Sequence, residues 1–189
     1  LIKLMPLINE AIRRGTKTVL EKNPEMTIEE ASLIGESIGI AAIKYADLSK
    51  NRTNDYVFNW DQMLSLEGNT APYLLYAYTR IQRLIMRSGI PKSRIQKETS
   101  PSNEIERLLC VEIVKLDDVV HQVAMDGYPH FLCNYLYSLA TRFNQFYETC
   151  EILNSSEETK KKRLSIASSS GTALRKGLDL LGIEVVQKM

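Results

Sequence analysis

The chain has 189 residues, of which 44% are hydrophobic and 25% are charged, and its formal net charge is +1. These totals are typical of a globular protein of about one domain, and they exclude the disordered and fibrous classes. A net charge near zero also excludes a global field that attracts nucleic acid, so any basic site has to be a local arrangement.

Membrane insertion and secretion are not indicated by the sequence. No apolar segment reaches the roughly 20 residues that a membrane-spanning helix needs, and the first residues lack the order of a signal peptide. Cys110, Cys133 and Cys150 form no CxxC pair, which is typical of thiols that pack as small hydrophobic groups in a reducing compartment. We therefore expect a cytoplasmic protein with no membrane partner. Because the sequence opens on Leu1 rather than on Met, we expect it to be a piece of a longer protein.

Apolar residues at helical spacing predict the first two elements. The first helix is expected to begin at about Pro6, and the second follows a capping box of Thr27 and Glu30. A broad buried face of the second helix is predicted to contain Ala31, Leu33, Ile34, Ile38, Ala41 and Ala42. Residues 50–60 are polar and then alternate aromatic side chains, so they are predicted to form an extended connector or a short strand.

The third predicted helix covers residues 71–88 and accepts Pro72 in its first turn. Its buried face is predicted to contain Leu74, Ala77, Tyr78, Ile81, Leu84 and Ile85. A second stripe lies beside that face, because polar and aromatic residues recur at steps of three and four. Its members are Tyr73, Tyr76, Arg80, Arg83 and Arg87.

The remainder of the chain is predicted to be helical with short connections. A loop covers residues 88–103, a second capping box is formed by Asn103 and Glu106, and residues 126–129 form a tight turn. The helix after that turn is predicted to bury Phe131, Leu132, Tyr135, Leu136, Leu139, Phe143 and Phe146.

Ser155 and Glu158 are predicted to cap a last helix that ends near Gly182. Its KKKR run, residues 160–163, is expected to be a solvated face, with a weak auxiliary contact to a phosphate backbone as the alternative. Its SSSG run, residues 168–171, is expected where helices approach closely. The sequence therefore predicts an all-α protein that is a helical bundle from residue 70 onward.

Patterns of catalytic and metal sites are missing from the sequence. His121 and His130 lack metal-ligand spacing to each other or to a cysteine, so both are predicted to be surface or packing residues. The glycine motifs of dinucleotide folds, P-loops and nucleophile elbows do not occur. We therefore predict no catalytic residue, no metal site and no cofactor in this chain.

The stripe of tyrosines and arginines has two readings. The rings can be packing at the rim of a core with the arginines solvated, and such a stripe also suits a helical protein-interaction module. Alternatively, rings stack on unpaired bases, at about 1–3 kcal/mol per base. Guanidinium groups then bind phosphates or base edges. Composition alone does not distinguish between these two interpretations of the stripe.

A longer match points to a family. The segment KYADLSKNRTNDYVFNWDQMLSLEGNTAPYLLYAYTR, residues 44–80, resembles the part of arginyl-tRNA synthetases that joins the class I catalytic domain to the anticodon-binding domain. KLMPLINEAIRRG is similar to the helix after the family's signature-loop region. LCNYLYSLATRFNQFYE and the closing ALRKGLDLLGIEVVQKM are similar to later helices of the anticodon domain. The resemblance covers nearly the whole chain and is loose over residues 90–122.

This resemblance implies a domain organisation and a function. Residues 1–66 would be a mostly helical remnant of the catalytic domain with its connector, and residues 67–189 a helical DALR-type anticodon-binding domain of the class I synthetase type. The parent protein would be a monomeric arginine–tRNA ligase that uses ATP with Mg²⁺ and arginine in an upstream part. The present part would bind tRNA-Arg rather than DNA, read chiefly the central anticodon cytosine, and be inactive alone.

The resemblance also assigns site residues by position. Anticodon contacts are assigned to Tyr73, Tyr76, Arg80, Tyr147 and Met189. Weaker phosphate contacts are assigned to Arg83, Arg87, Lys50 and Arg52. The family often has Gln where Leu75 stands, and it commonly ends in Arg-Met where this chain has Lys188 and Met189.

Overall fold

The computed structural model describes residues 3–95 and 100–186. Its α-helices are α1 (Leu4–Lys22), α2 (Ile28–Leu48), α3 (Trp60–Met63), α4 (Ala71–Arg87), α5 (Glu104–Val114), α6 (Leu116–Asp126), α7 (His130–Thr149) and α8 (Glu157–Leu180), and a 3₁₀-helix covers Lys92–Arg94. Within the described ranges no β-strand occurs, so the all-α prediction is confirmed. The segment before α3 is an irregular connector with a turn at residues 52–54, and the predicted alternative of a short strand is wrong.

Helices α1 and α2 form an antiparallel hairpin. The predicted capping box begins α2, since the Thr27 hydroxyl accepts from the Glu30 amide at 3.2 Å and the Glu30 carboxylate accepts from the Thr27 amide at 3.4 Å. The contact between the two helices is built from small residues, with Gly35 against Thr16. Leu33 was predicted to be buried but is 69% exposed, because it lies on the face of α2 away from this contact.

Gly35→Ala is expected to destabilise the hairpin. A Cβ at this position would lie 2.4 Å from the Thr16 amide nitrogen and 2.5 Å from its Cα, and backbone atoms cannot move aside as a flexible side chain can. Overpacking of this kind costs about 1–3 kcal/mol. Urea unfolding measures the loss, and hydrogen exchange should show it first in α1. Ser32→Ala, an exposed change on the same helix, is the control. Equal stability of the two variants would contradict this account of the contact.

Helices α4, α7 and α8 form the centre of the bundle. Tyr73 and Arg80 of α4 hydrogen-bond Thr141 and Asn144 of α7 in the same order, so these two helices run in the same direction. Helix α8 packs against α4 at Gly171, where a Cβ would lie 2.9 Å from Ile81 Cγ2. The SSSG run therefore lies at a close helix–helix approach, as predicted.

The predicted cores of α4 and α7 are confirmed. In α4 every predicted core residue is buried, and in α7 only Phe131 of the predicted set is half-buried. Between them α5 and α6 provide the crossover, with a break at Lys115 that the sequence pattern did not indicate.

Three predictions about caps and charges need correction. The last helix is capped by Ser156, whose hydroxyl accepts from the Thr159 amide, and not by Ser155. At the start of α5, Asn103 caps as predicted, but Glu106 accepts from the Ser102 amide at 2.7 Å instead of completing the capping box at Asn103. Arg163, predicted to lie on a solvated face, is largely buried because its guanidinium bonds Glu106 at 2.8 Å.

The C-terminal end of α8 is held by a Schellman motif. The Ile183 amide donates to the Leu178 carbonyl at 2.9 Å, and the Gly182 amide donates to the Asp179 carbonyl at 3.0 Å. This pattern requires a left-handed residue, and Gly182 supplies it with a φ of 67°. The predicted helix end at Gly182 is therefore confirmed.

Tyr45 of α2 joins the hairpin to the bundle. It is 1% exposed, and its hydroxyl lies 2.6 Å from Asn69 Oδ1 and 2.8 Å from the Cys133 carbonyl oxygen. Burial, followed by the Cys133 thiol, raises the pKa of Tyr45, so the phenol keeps the one proton that it shares between these two acceptors. Lys44 adds a bond from Nζ to the Gly182 carbonyl. The hairpin is thereby fixed against both α7 and the segment after α8.

The cysteines behave as packing residues. All three are free thiols, with Cys133 and Cys150 buried and Cys110 half-buried. Burial raises the pKa of Cys133 to about 12, so its thiol stays protonated. Among the helices of the described residues, none has the length and apolar character to cross a bilayer.

Candidate nucleic-acid interface

Helix α4 presents its second stripe beside a well-packed core. Thr70 caps the helix by accepting from the Tyr73 amide at 3.2 Å, and Pro72 lies in the first turn, where a missing amide hydrogen costs little. Burial of the core face leaves Tyr73, Tyr76 and Arg80 half-buried on its flank. These three residues therefore lie on the side of α4 that their spacing in the sequence predicted.

Arg80 is the centre of a cluster between α4 and α7. Its Cζ atom lies 4.9 Å from the ring centroid of Tyr76 and 5.0 Å from that of Tyr147. Its Nη1 donates to Asn144 Oδ1 at 2.8 Å and lies 3.8 Å from Glu148 Oε1. We call these five residues the arginine cluster. The side chain of Arg80 is 23% exposed, so the guanidinium is held in place yet remains open to solvent.

Tyr73 supports this cluster from one turn away. Its hydroxyl accepts from Asn144 Nδ2 at 3.0 Å and lies 3.3 Å from the Thr141 hydroxyl, while its ring packs against Tyr137 with centroids 5.5 Å apart. Because Asn144 in turn holds Arg80, the polar end of Tyr73 is engaged in orienting the guanidinium. The structure thus gives Tyr73 a supporting position, whereas Tyr76 and Tyr147 contact Arg80 itself.

Arg83 and Arg87 are exposed and continue the stripe toward the end of α4. They lie three and seven residues after Arg80, so they follow the same side of the helix. Arg87 is in the last turn, where the negative end of the helix dipole favours a cation.

Lys50 and Arg52 lie elsewhere, beside the turn before α7. The Arg52 guanidinium is 5.0 Å from the Tyr128 ring centroid. Since α7 rises about 1.5 Å per residue, this end of the helix is roughly 25 Å from Tyr147. Both basic residues line a groove with Asp47 and Asp55, whose carboxyl groups reduce its positive charge. The predicted basic residues therefore form two separate groups. Met189, the remaining predicted contact, lies outside the described residues.

The sequence analysis assigned Tyr147 of α7 but missed the polar residues of α7 that lie around Arg80 and Tyr73. Tyr137, Thr141, Asn144 and Glu148 recur at steps of four, three and four. That spacing is the same signal that revealed the α4 stripe, and it was present in the sequence. What the spacing could not supply is the parallel alignment that brings Asn144 and Glu148 against Arg80.

The two histidines occupy the positions predicted for surface or packing residues. His121 is exposed, and the His130 ring packs 4.4 Å from Phe131 and 5.6 Å from Tyr128 between centroids. Across residues 3–95 and 100–186, no three His, Cys, Asp or Glu side chains are grouped as potential metal ligands.

Two family profiles match this chain. Residues 74–189 match the DALR anticodon binding domain, and residues 1–60 match the class I (R) tRNA synthetase catalytic domain. The first match contains every residue of the arginine cluster.

Similar proteins carry the name arginine–tRNA ligase. That of Marinomonas sp. (strain MWYL1) is 52% identical over 99% of this chain and 32% of its own length. That of Actinobacillus succinogenes is 46% identical over 100% of this chain and 33% of its own length. The chain thus spans about a third of the length of these relatives.

Solved structures give the same result. Arginyl-tRNA synthetase from Plasmodium falciparum superimposes with a TM-score of 0.89 at 33% identity, over 100% of this chain and 34% of that one. The Thermus thermophilus arginyl-tRNA synthetase gives a TM-score of 0.88 at 27% identity, over 100% and 32%. With sequence profiles, relatives and backbone in agreement, this chain belongs to the arginyl-tRNA synthetase family and carries its DALR anticodon-binding domain.

Proposed function

We propose that this chain is the tRNA-binding part of an arginine–tRNA ligase and that its arginine cluster reads the central base of the anticodon. The observation that carries the proposal is the position of Arg80, in contact with Tyr76 and Tyr147 and still open to solvent. An unpaired base is recognised by aromatic rings that stack on it and by a fixed guanidinium group that donates hydrogen bonds to its edge.

Cytosine is the base that this site has to recognise. All arginine codons have guanine in the middle, so every arginine anticodon has cytosine at its centre. Cytosine offers two acceptors and an amino donor on its Watson–Crick edge. Arg80 would donate to those acceptors while Tyr76 and Tyr147 stack on or wall the extruded bases. A wrong base would leave a polar group unpaired, at a cost of about 1–3 kcal/mol.

Other basic residues would add affinity without selecting sequence. Arg83 and Arg87 continue from the arginine cluster and would hold phosphates, as would Lys50 and Arg52 at the other end of α7. Such contacts release counterions and make binding fall with salt. Met189 would supply an apolar lid and backbone groups to the anticodon.

The whole reaction would need the rest of the enzyme. The relatives are about three times as long as this chain, and their further residues would bind ATP with Mg²⁺ and arginine. We place the boundary between the catalytic remnant and the anticodon domain at residues 66–67, in the turn before α4. The complete enzyme would act as a cytoplasmic monomer on tRNA-Arg, with no DNA partner, and the present chain alone would not activate arginine.

Binding of an arginine tRNA transcript by this chain tests the proposal. We expect weak binding at low salt that falls steeply as salt rises, and a loss of about 5- to 100-fold when the central cytosine is replaced. Fluorescence anisotropy over a salt series measures both effects. A tRNA for another amino acid with no central cytosine is the matched control.

Two outcomes would contradict the proposal. If binding does not depend on the central base, the cluster does not read it. If this chain binds proteins through the stripe and its affinity barely changes with salt, it is better explained as a helical protein-interaction module. A hydrophobic protein interface does not release counterions from phosphates, so its affinity depends little on salt.

A further inference from the structure

Glu148 places an acceptor beside the donors of Arg80. Its Oε1 lies 3.8 Å from Arg80 Nη1, which is too long for a hydrogen bond, and its side chain is 69% exposed. The carboxylate is therefore near the guanidinium but is not hydrogen-bonded to it. Donor and acceptor lie side by side at the open surface of the arginine cluster.

Neighbouring polar groups are already engaged. Asn144 uses its oxygen for Arg80 and its nitrogen for the Tyr73 hydroxyl. The Tyr73 hydroxyl is further engaged with Thr141. Asn144 is thus engaged within the protein, whereas the Glu148 side chain is 69% exposed.

We propose that the Glu148 carboxylate accepts a hydrogen bond from the exocyclic amino group of the base that Arg80 binds, and so selects cytosine over uracil. This inference rests on the proposed function and adds a specificity-determining residue to it. Glu and Asp carboxylates are side-chain groups that accept from the cytosine amino group in nucleic-acid recognition.

The chemistry of the two pyrimidines explains the selection. Cytosine presents an amino donor next to its ring acceptors, which complements Glu148 beside Arg80. Uracil presents a carbonyl oxygen in place of the amino group, so the carboxylate would face another acceptor. An unmade bond in a desolvated contact costs the desolvation of both groups, and that cost rejects the wrong base.

The same carboxylate makes Arg80 a poor phosphate site. A phosphate that binds the guanidinium would also lie close to the Glu148 carboxylate, and the two negative charges would repel each other. Arg83 and Arg87, farther along α4, would then carry the phosphate contacts. This division assigns base recognition to the middle of the stripe and backbone affinity to its end.

The test compares Glu148→Gln and Glu148→Ala in the whole 189-residue chain. Each variant is titrated with an arginine tRNA transcript and with the same transcript carrying uracil at the anticodon centre. We expect both variants to reduce the preference for cytosine by about tenfold. Glu148→Gln should in addition gain affinity for the uracil transcript, because its amide can turn a donor toward the carbonyl oxygen.

Glu151→Gln is the control, since it makes the same charge change just beyond α7. Its cytosine preference should equal that of the unchanged chain. If Glu148→Gln and Glu148→Ala also keep that preference, the inference is overturned, and the proposed function survives provided that the unchanged chain still prefers cytosine. If the unchanged chain shows no preference, both proposals fail together.

Discussion

Glu106→Ala is expected to lower the free energy of unfolding by about 3–5 kcal/mol, because it leaves a buried charge without its partner. Glu106 is 1% exposed and links the start of α5 to α8. It accepts from the Ser102 amide at 2.7 Å, from Asn103 Nδ2 at 3.1 Å and from Arg163 Nε at 2.8 Å. Removing it would leave the Arg163 guanidinium, which also donates to the Glu151 carbonyl, without its carboxylate partner. Urea denaturation followed by circular dichroism measures the loss.

Two comparisons test this explanation. Glu104→Gln removes another carboxylate of α5, one that binds Arg107 at 2.6 Å on the surface, and it should leave the denaturation midpoint nearly unchanged. A double variant, Glu106→Leu with Arg163→Met, replaces both charges by apolar groups and should recover part of the lost stability. If the double variant is less stable than Glu106→Ala, the stranded charge is not the cause.

Local patterns in the sequence predicted local structure well. The Thr27 capping box, the buried face of α4 and the left-handed turn at Gly182 each depend on residues within one or two turns of each other. Helical spacing and backbone chemistry determine such features, so one short segment contains the information. The arginyl-tRNA synthetase resemblance came from the same kind of continuous segment.

The sequence did not predict which distant segments pack against each other. Arg163 belongs to a run of four basic residues, and nothing near it in the sequence signals Glu106, which lies 57 residues earlier. Leu33 fits an apolar face by spacing but is exposed, because glycines and not leucines make the α1–α2 contact. The helical period shows which side of a helix is apolar, but it does not show which other helix packs against that side.

The candidate site follows the same rule. The α4 half, Tyr76 and Arg80, could be derived from spacing, and Tyr147 was reached through the family resemblance. Asn144 and Glu148 became visible only when α4 and α7 were aligned in parallel, a consequence of the long crossover through α5 and α6. Half of the donor–acceptor arrangement therefore needed the structure.

Arg80→Ala is expected to weaken binding of an arginine tRNA by about 10- to 100-fold at low salt, and to remove most of the preference for a central cytosine. The variant loses the donor fork and also the cation that contacts both Tyr76 and Tyr147. Arg80→Lys tests the role of the guanidinium geometry separately from the role of the positive charge. Lysine keeps the cation but lacks the planar fork, so it should retain part of the affinity and little of the base preference.

Arg87→Ala is the matched control for Arg80→Ala, because it removes an exposed arginine from the last turn of the same helix. It should weaken binding equally for transcripts with central cytosine or uracil, and lower the salt slope of the binding constant by about 1. Arg80→Ala should instead change the base preference and leave the slope nearly unaltered, since Glu148 and Asn144 already surround its Nη1. If Arg80→Ala behaves like Arg87→Ala, then Arg80 is a phosphate contact, and base reading has to be assigned to other residues of the arginine cluster.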